Sequence, residues 1–188
     1  MPRAEFLNGL AEVLKAGFIR DRDLLTRLGA VKTGLFNDKA ELTETIFRAA
    51  TIKAQVVSQD EREGDLRRIL NFGHTLGHGL EQASRFRLSH GRAVAWGMVA
   101  ALTLSERLAG LDPAEAEWGR RLIRDFNLCR PLPELDPEAV MAALRLDKKR
   151  QESGVPFVLL PRLGETVIQE GVDLGLVAEV LKEILGGG

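Results

Sequence analysis

Gly91-Arg-Ala-Val-Ala-Trp-Gly-Met-Val-Ala-Ala-Leu-Thr-Leu-Ser-Glu-Arg-Leu-Ala109 is the stretch on which the fold turns. It is apolar nearly all round, so a helix made from it has no face to offer water and belongs at the centre of a helical layer. Gly110 closes it. Its apolar run, Ala93 to Leu104, is too short to cross a bilayer and leads into Ser105, Glu106 and Arg107.

Helical periodicity continues on both sides of this segment. Upstream, helices are predicted from about Glu5 to Ala16, ending at Gly17, and from about Asp21 to Leu28. A long one is capped by Asp38, has Glu41 at the capping-box position and runs to about Val57. Another spans about Leu66 to Ala83. Downstream, Asp112-Pro113 and Asp136-Pro137 each place a capping carboxylate before a proline whose missing N–H costs nothing at the first helical position. Val155–Leu160 and Thr166–Gln169 read as two short strands joined by a loop, Pro161 to Glu165, that contains Gly164. A last helix covers about Asp173 to Leu185. The expected architecture is mainly α, one multi-helix domain over residues 1–188 with one small β-hairpin.

Composition narrows the function classes. The chain has 188 residues, 45% hydrophobic and 28% charged, which is ordinary for a globular protein. A net charge of −1 supplies no field to attract nucleic acid or anionic lipid, so neither nucleic acid nor membrane is an expected partner. Cys129 is the single cysteine, which excludes an intrachain disulfide. The opening MPRAEFLNGL lacks the apolar segment of a signal peptide, and a cytoplasmic location is expected.

Chemistry concentrates in Arg67-Arg-Ile-Leu-Asn-Phe-Gly-His-Thr-Leu-Gly-His78. On one helix Arg67, Asn71, His74 and His78 share a face, opposite Ile69, Phe72, Leu76 and Leu80. A solvated face would carry Glu and Lys rather than Arg, Asn and two imidazoles. Gly73 and Gly77 lie within the same stretch. Glycine inside a helix costs roughly 1 kcal/mol against alanine, so the pair implies that something approaches the backbone closely. Two histidines four apart suit a solvated face as well as a metal. All 3 histidines, however, fall between residues 74 and 90, and a catalytic zinc site wants three protein ligands and an open position. Lys53 sits within the apolar stripe Leu42, Ile46, Ala49, Ala50, Val56 and Val57, where it either snorkels out or meets an anion in a cavity. Glu12 and Lys15, by spacing, read as a surface ion pair.

Taken together, these residues resemble the 3-dehydroquinate synthase family. Ala11-Glu-Val-Leu-Lys15, Lys53-Ala-Gln-Val-Val57, Asp60-Glu-Arg-Glu63, Arg67, Leu70-Asn-Phe-Gly-His-Thr-Leu-Gly-His78, Ser89-His-Gly91, Gly97-Met98 and Asp147-Lys-Lys149 occur in that family in this order. The resemblance covers nearly the whole chain and corresponds to the family's carboxy-terminal, metal-binding half. It implies a helical domain of the dehydroquinate synthase carboxy-terminal type. It also implies Zn2+ or Co2+ on Glu12, His74 and His90, with His78, Lys15 and Asn71 in catalysis. Lys53, Glu63, Arg67 and Lys148 are implied to bind substrate. The implied activity is the shikimate-pathway conversion of the anionic sugar phosphate 3-deoxy-D-arabino-heptulosonate 7-phosphate to 3-dehydroquinate and phosphate. In that reaction zinc is a Lewis acid and NAD+ takes up and returns a hydride.

NAD+ is expected on an amino-terminal partner half, since no strand, glycine turn and helix able to seat a pyrophosphate occurs here. The chain alone is therefore expected to be inactive, and a homodimer is the expected assembly. Where the family usually has His-Gly-Glu, this chain has His90-Gly91-Arg92, a cation expected beside a metal ligand. Competing readings are another sugar phosphate cyclase of the 2-deoxy-scyllo-inosose synthase type, a glycerol dehydrogenase-like polyol dehydrogenase, and a non-catalytic, metal-stabilised helical or dimerisation domain.

Overall fold

Around one buried helix the chain wraps its remaining elements, as seen in a computed structural model that describes residues 3–60, 66–132, 134–150 and 155–186, with side chains at all of these except 3, 4, 33, 36 and 147–150. In order, they are α1 (Arg3–Arg20), α2 (Arg22–Val31), α3 (Lys39–Gln59), α4 (His74–Ala83), α5 (His90–Leu108), α6 (Pro113–Asp125), α7 (Pro137–Arg150), β1 (Phe157–Arg162), β2 (Glu165–Gln169) and α8 (Leu174–Gly186). The central helix is α5, in which every residue from Ala93 to Leu102 is buried. Helices α1, α4, α6 and α8 and strand β1 pack against it. No helix among the described residues is long and apolar enough to cross a membrane.

Local signals set most helix starts. The Asp38 carboxylate accepts from the Ala40 and Glu41 N–H groups, and Asp112 from those of Ala114 and Glu115. Asp136 does the same for Glu138 at 2.9 Å. Each satisfies donors that a first turn leaves unpaired. Glu41 does not turn back to close a capping box; its carboxylate is forked by Arg27 instead, at 2.8–3.1 Å. The Arg48 guanidinium grips Asp21, the cap of α2, at 2.7 and 2.9 Å. These two pairs fix α3 across the α1–α2 corner.

Three expectations need correction. Helix α1 does not stop at Gly17 but runs to Arg20, because Phe18 and Ile19 continue its buried face with no exposure. In the hairpin, Pro161 and Arg162 belong to β1 and Glu165 to β2, leaving only Leu163-Gly164 as the connection, with Gly164 at φ +90°. The helix expected over residues 66–83 is broken in two. Leu66–Asn71 forms a short 3₁₀ helix, and α4 begins only at His74.

The cause of that break is the close crossing of α4 and α5. Gly73 adopts φ +77°, and its carbonyl oxygen would stand 1.8 Å from a Cβ placed on Gly97. A Cβ on Gly73 would in turn meet the Met98 nitrogen at 2.8 Å and the Val94 oxygen at 2.9 Å. What approaches this glycine-bearing backbone so closely is the backbone of α5. The crossing lets α4 and α5 start side by side, His74 on one and His90 on the other.

Candidate metal centre and binding cavity

Three helices bring one ligand-type side chain each to a common point. Glu12 comes from the middle of α1, His74 from the first turn of α4 and His90 from the first turn of α5. One ligand atom from each lies within 4.8 Å of the other two. Glu12 Oε1 is 3.6 Å from His74 Nε2 and 3.9 Å from His90 Nε2. The start of α5 is moored to α1 by the Asn8 side chain, whose Oδ1 accepts from the Gly91 N–H at 2.8 Å. That bond sets His90 opposite Glu12.

A hydrogen bond fixes where the His74 proton sits. His74 Nδ1 is 3.2 Å from the Phe72 carbonyl, which can only accept, so Nδ1 carries the proton and Nε2 a lone pair. Burial first, and then the Lys15 charge, push the His74 pKa down to about 4, so the ring is neutral at neutral pH. Glu12 is affected oppositely by burial, which raises its pKa. The Lys15 charge and hydrogen bond and the two imidazoles outweigh this and hold it below its usual value. The Lys15 ammonium donates to Glu12 Oε2 at 2.8 Å. Burial lowers the Lys15 pKa, Glu12 opposes this, and the charge of Lys53 adds to the lowering.

This arrangement fits a divalent cation. Glu12 Oε1 is buried and has no hydrogen-bond partner among the described residues, a costly state for a carboxylate oxygen. It faces His74 Nε2, whose ring commits Nδ1 as a donor, and His90 Nε2. The lone pairs of Glu12 Oε1 and His74 Nε2, 3.6 Å apart, repel unless a proton or a cation lies between them, and His74 supplies no proton at neutral pH. Two ligand atoms about 2.1 Å from a tetrahedral ion are roughly 3.4 Å apart, close to the separations here. Two nitrogens and a carboxylate oxygen suit Zn2+ or Co2+.

Beside this point opens a cavity of about 830 Å³ between α1, α3 and the 66–71 turn, lined by Glu12, Lys15, Lys53, Arg67, Asn71 and His74 among others. The break before α4 leaves Arg67, Asn71 and His74 on one wall. His78 does not line the cavity; it lies exposed on α4, its ring edge-on to His74 with centroids 5.5 Å apart. Lys53 is exposed rather than held in an apolar stripe, because that stripe is itself divided. Ile52 and Val56 are buried, whereas Ile46, Ala49 and Ala50 line the cavity and Ile46 keeps 53% of its surface exposed. The Glu12–Lys15 pair is no surface pair, since Lys15 is only 6% exposed. Glu63 lies outside the described residues, and so does the side chain of Lys148.

Sequence reasoning missed Asn8 and Glu81 and did not foresee the partners of Arg92. Glu81 Oε1 is 3.3 Å from His90 Nδ1. Its place seven residues after His74, on the same helix face, was the available signal. The Arg92 guanidinium donates through Nη2 to the Arg130 and Pro131 carbonyls at 3.0 and 2.9 Å. Trp96 Nε1 joins it on the Arg130 oxygen at 3.1 Å. Cys129 takes no part, its thiol pushed up to about 12 by burial.

A family model described as 3-dehydroquinate synthase C-terminal matches residues 9–150. The 3-dehydroquinate synthase of Solibacter usitatus is 40% identical over 187 residues, covering 98% of this chain and 52% of that protein. That of Chlorobium luteolum is 42% identical over 182 residues, covering 92% and 50%. The chain thus spans about half the length of the curated relatives it matches. Among solved structures, a 2-epi-5-epi-valiolone synthase from Streptomyces hygroscopicus subsp. jinggangensis, with NAD+ and Zn2+ bound, aligns with a TM-score of 0.86 at 23% identity, covering 100% of this chain and 53% of that one. A 2-deoxy-scyllo-inosose synthase complexed with carbaglucose-6-phosphate, NAD+ and Co2+ aligns with a TM-score of 0.79 at 22% identity, covering 97% and 52%. These structural likenesses concern the fold. From the match over residues 9–150, the chain belongs to the 3-dehydroquinate synthase C-terminal family.

Proposed function

We propose that this chain is the metal- and substrate-binding half of a 3-dehydroquinate synthase. It acts with an NAD-binding half to convert 3-deoxy-D-arabino-heptulosonate 7-phosphate to 3-dehydroquinate and phosphate. The observation that carries this reading is the buried, unpartnered Glu12 Oε1 facing two imidazole nitrogens at the edge of a cation-lined cavity. Relatives named 3-dehydroquinate synthase, such as the Solibacter usitatus protein at 40% identity over 98% of this chain, favour that reaction over those of other sugar phosphate cyclases.

Glu12, His74 and His90 would hold Zn2+ or Co2+, which supplies a Lewis acid for substrate hydroxyls. NAD+, seated on the partner half, supplies the hydride acceptor. The chain's own side chains do the rest. Arg67 offers a planar fork to a carboxylate or phosphate, and Lys53 a mobile point charge. Lys15, pinned by Glu12, presents an N–H from the cavity wall. Asn71, donor and acceptor at once, suits a hydroxyl. Ile46, Ala49 and Ala50 give one side of the cavity an apolar wall. His78, exposed on α4 with its ring edge-on to His74, enters catalysis through the family resemblance alone. Glu63 and Lys148 enter through the family resemblance alone.

The test is binding, followed by turnover. Calorimetry on the Zn2+-loaded chain is expected to show the heptulosonate phosphate binding, with Arg67→Ala weakening it at least ~10-fold through loss of a charged hydrogen-bond pair. With NAD+ added, phosphate release is expected only after an amino-terminal synthase half is supplied. Holding the hydride acceptor in place contributes roughly 7–11 kcal/mol, and a freely diffusing cofactor loses that contribution. Turnover by the chain alone, or equal binding by Arg67→Ala, would contradict the proposal. Preference for a hexose phosphate without a carboxylate would shift it to another cyclase.

A further inference from the structure

The two histidines of the centre are held in different ways. His74 has 12% of its side chain exposed and is buttressed by a backbone carbonyl of its own turn. His90 has 41% exposed, so packing does not fix its ring. The group that touches its far nitrogen is Glu81, whose Oε1 lies 3.3 Å from His90 Nδ1 and whose side chain is only 14% exposed.

Glu81 is also built into the connection between the two helices. Its carbonyl accepts from the Ser84 hydroxyl at 2.8 Å and from the Phe86 N–H at 2.9 Å. The same Ser84 oxygen accepts from the Leu88 N–H at 3.2 Å. The end of α4, the turn and the approach to α5 are thus tied to one residue, whose carboxylate meets the first imidazole of α5. Among the described residues, the Glu81 carboxylate meets the His90 imidazole. Arg92, two residues on, directs its Nη2 to the Arg130 and Pro131 carbonyls.

We infer that Glu81 is the positioning residue of this centre: it holds the His90 proton on Nδ1, turns the Nε2 lone pair toward Glu12 and makes that nitrogen a stronger donor. The inference rests on the reading of Glu12, His74 and His90 as metal ligands. A carboxylate only accepts, so the ring nitrogen it meets must be the donor, and the opposite nitrogen is left as the ligand. Negative charge behind an imidazole raises its basicity toward a cation, and removal of such a partner commonly costs 10–100-fold in metal affinity.

Two readouts test this on the 188-residue chain. Long-range ¹H–¹⁵N NMR of the metal-free protein reports the His90 tautomer directly. It is expected to be Nδ1–H in the wild type, a mixture in Glu81→Ala, and still Nδ1–H in Glu81→Gln, which keeps an acceptor oxygen. Chelator competition is expected to show Zn2+ bound about 10–100-fold more weakly by Glu81→Ala, with Glu81→Gln between it and the wild type. The near-isosteric Gln variant guards against misfolding, checked by its circular dichroism. Unchanged tautomer and affinity in Glu81→Ala, beside loss of Zn2+ in a His74→Ala control, would overturn the inference while leaving the metal reading intact. Wild-type Zn2+ retention by His74→Ala would overturn the metal reading itself.

Discussion

His74 shows how one side chain's surroundings set behaviour that the whole chain then displays. Its pKa falls to about 4 in the folded chain, from burial first and the Lys15 charge second, against an ordinary value of 6.5. Between those values the unfolded chain binds a proton that the folded chain lacks, so acid favours unfolding. Stability is therefore full above about pH 6.5 and is lost as pH falls toward 4. Urea titration of the metal-free chain is expected to lose roughly 2–3 kcal/mol from this group between pH 7 and 4.5, and His74→Gln to flatten that slope. Arg92 gives a second prediction. Because its guanidinium bonds the Arg130 and Pro131 carbonyls, Arg92→Glu sets a carboxylate against two acceptors. The variant is expected to lose about 1–3 kcal/mol in thermal or urea unfolding and to gain no Zn2+ affinity. A gain would mean that Arg92 does act on the proposed metal centre. From sequence, Arg92 was recognisable as an oddity, but its partners lie 38 and 39 residues away and nothing local points to them.

The elements were legible where their signals are local. Asp38, Asp112 and Asp136 cap the helices they precede, because a capping carboxylate needs only the next three residues. The break between the 66–71 turn and α4 was not legible. It is imposed by α5 crossing at Gly73 and Gly97, a contact between segments that no local rule brings together. The turn from α4 to α5 was hidden for a different reason. It uses positive φ at Arg85 (52°) and Phe86 (58°), residues that do not announce a left-handed conformation. Two predictions belong here. Gly97→Ala would put a methyl group where the Gly73 oxygen stands, so α4 and α5 must part. A loss of about 1–3 kcal/mol or more is expected in denaturant unfolding, with weaker Zn2+ binding because His74 and His90 start those two helices. Ser105 is fully buried and its hydroxyl accepts from the Leu160 N–H at 2.9 Å, joining β1 to α5. Ser105→Ala leaves that N–H unpaired and is expected to cost about 1–3 kcal/mol in the same assay.

At the scale of the molecule, the buried α5 and the helices α1 and α4 packed on it bring His90, Glu12 and His74 together beside a cavity that α3 and the 66–71 turn complete. The mainly helical architecture with one hairpin follows from the 3.6-residue pattern and was open to sequence reading. So were Glu12, Lys15, Lys53, Arg67, Asn71, His74 and His90 as a group, through the family resemblance. What that resemblance lacked is the reason they cohere. Glu12 sits on α1, yet its partners arrive through Asn8 holding Gly91 and through the glycine crossing, both long-range contacts. The account stands on the three side chains being a metal centre. Elemental analysis of the purified chain, equilibrated with limiting Zn2+ and desalted, tests this most directly. One Zn2+ per chain in the wild type and essentially none in His74→Ala, with both proteins equally helical by circular dichroism, is the predicted result. Equal zinc in the two proteins would contradict it.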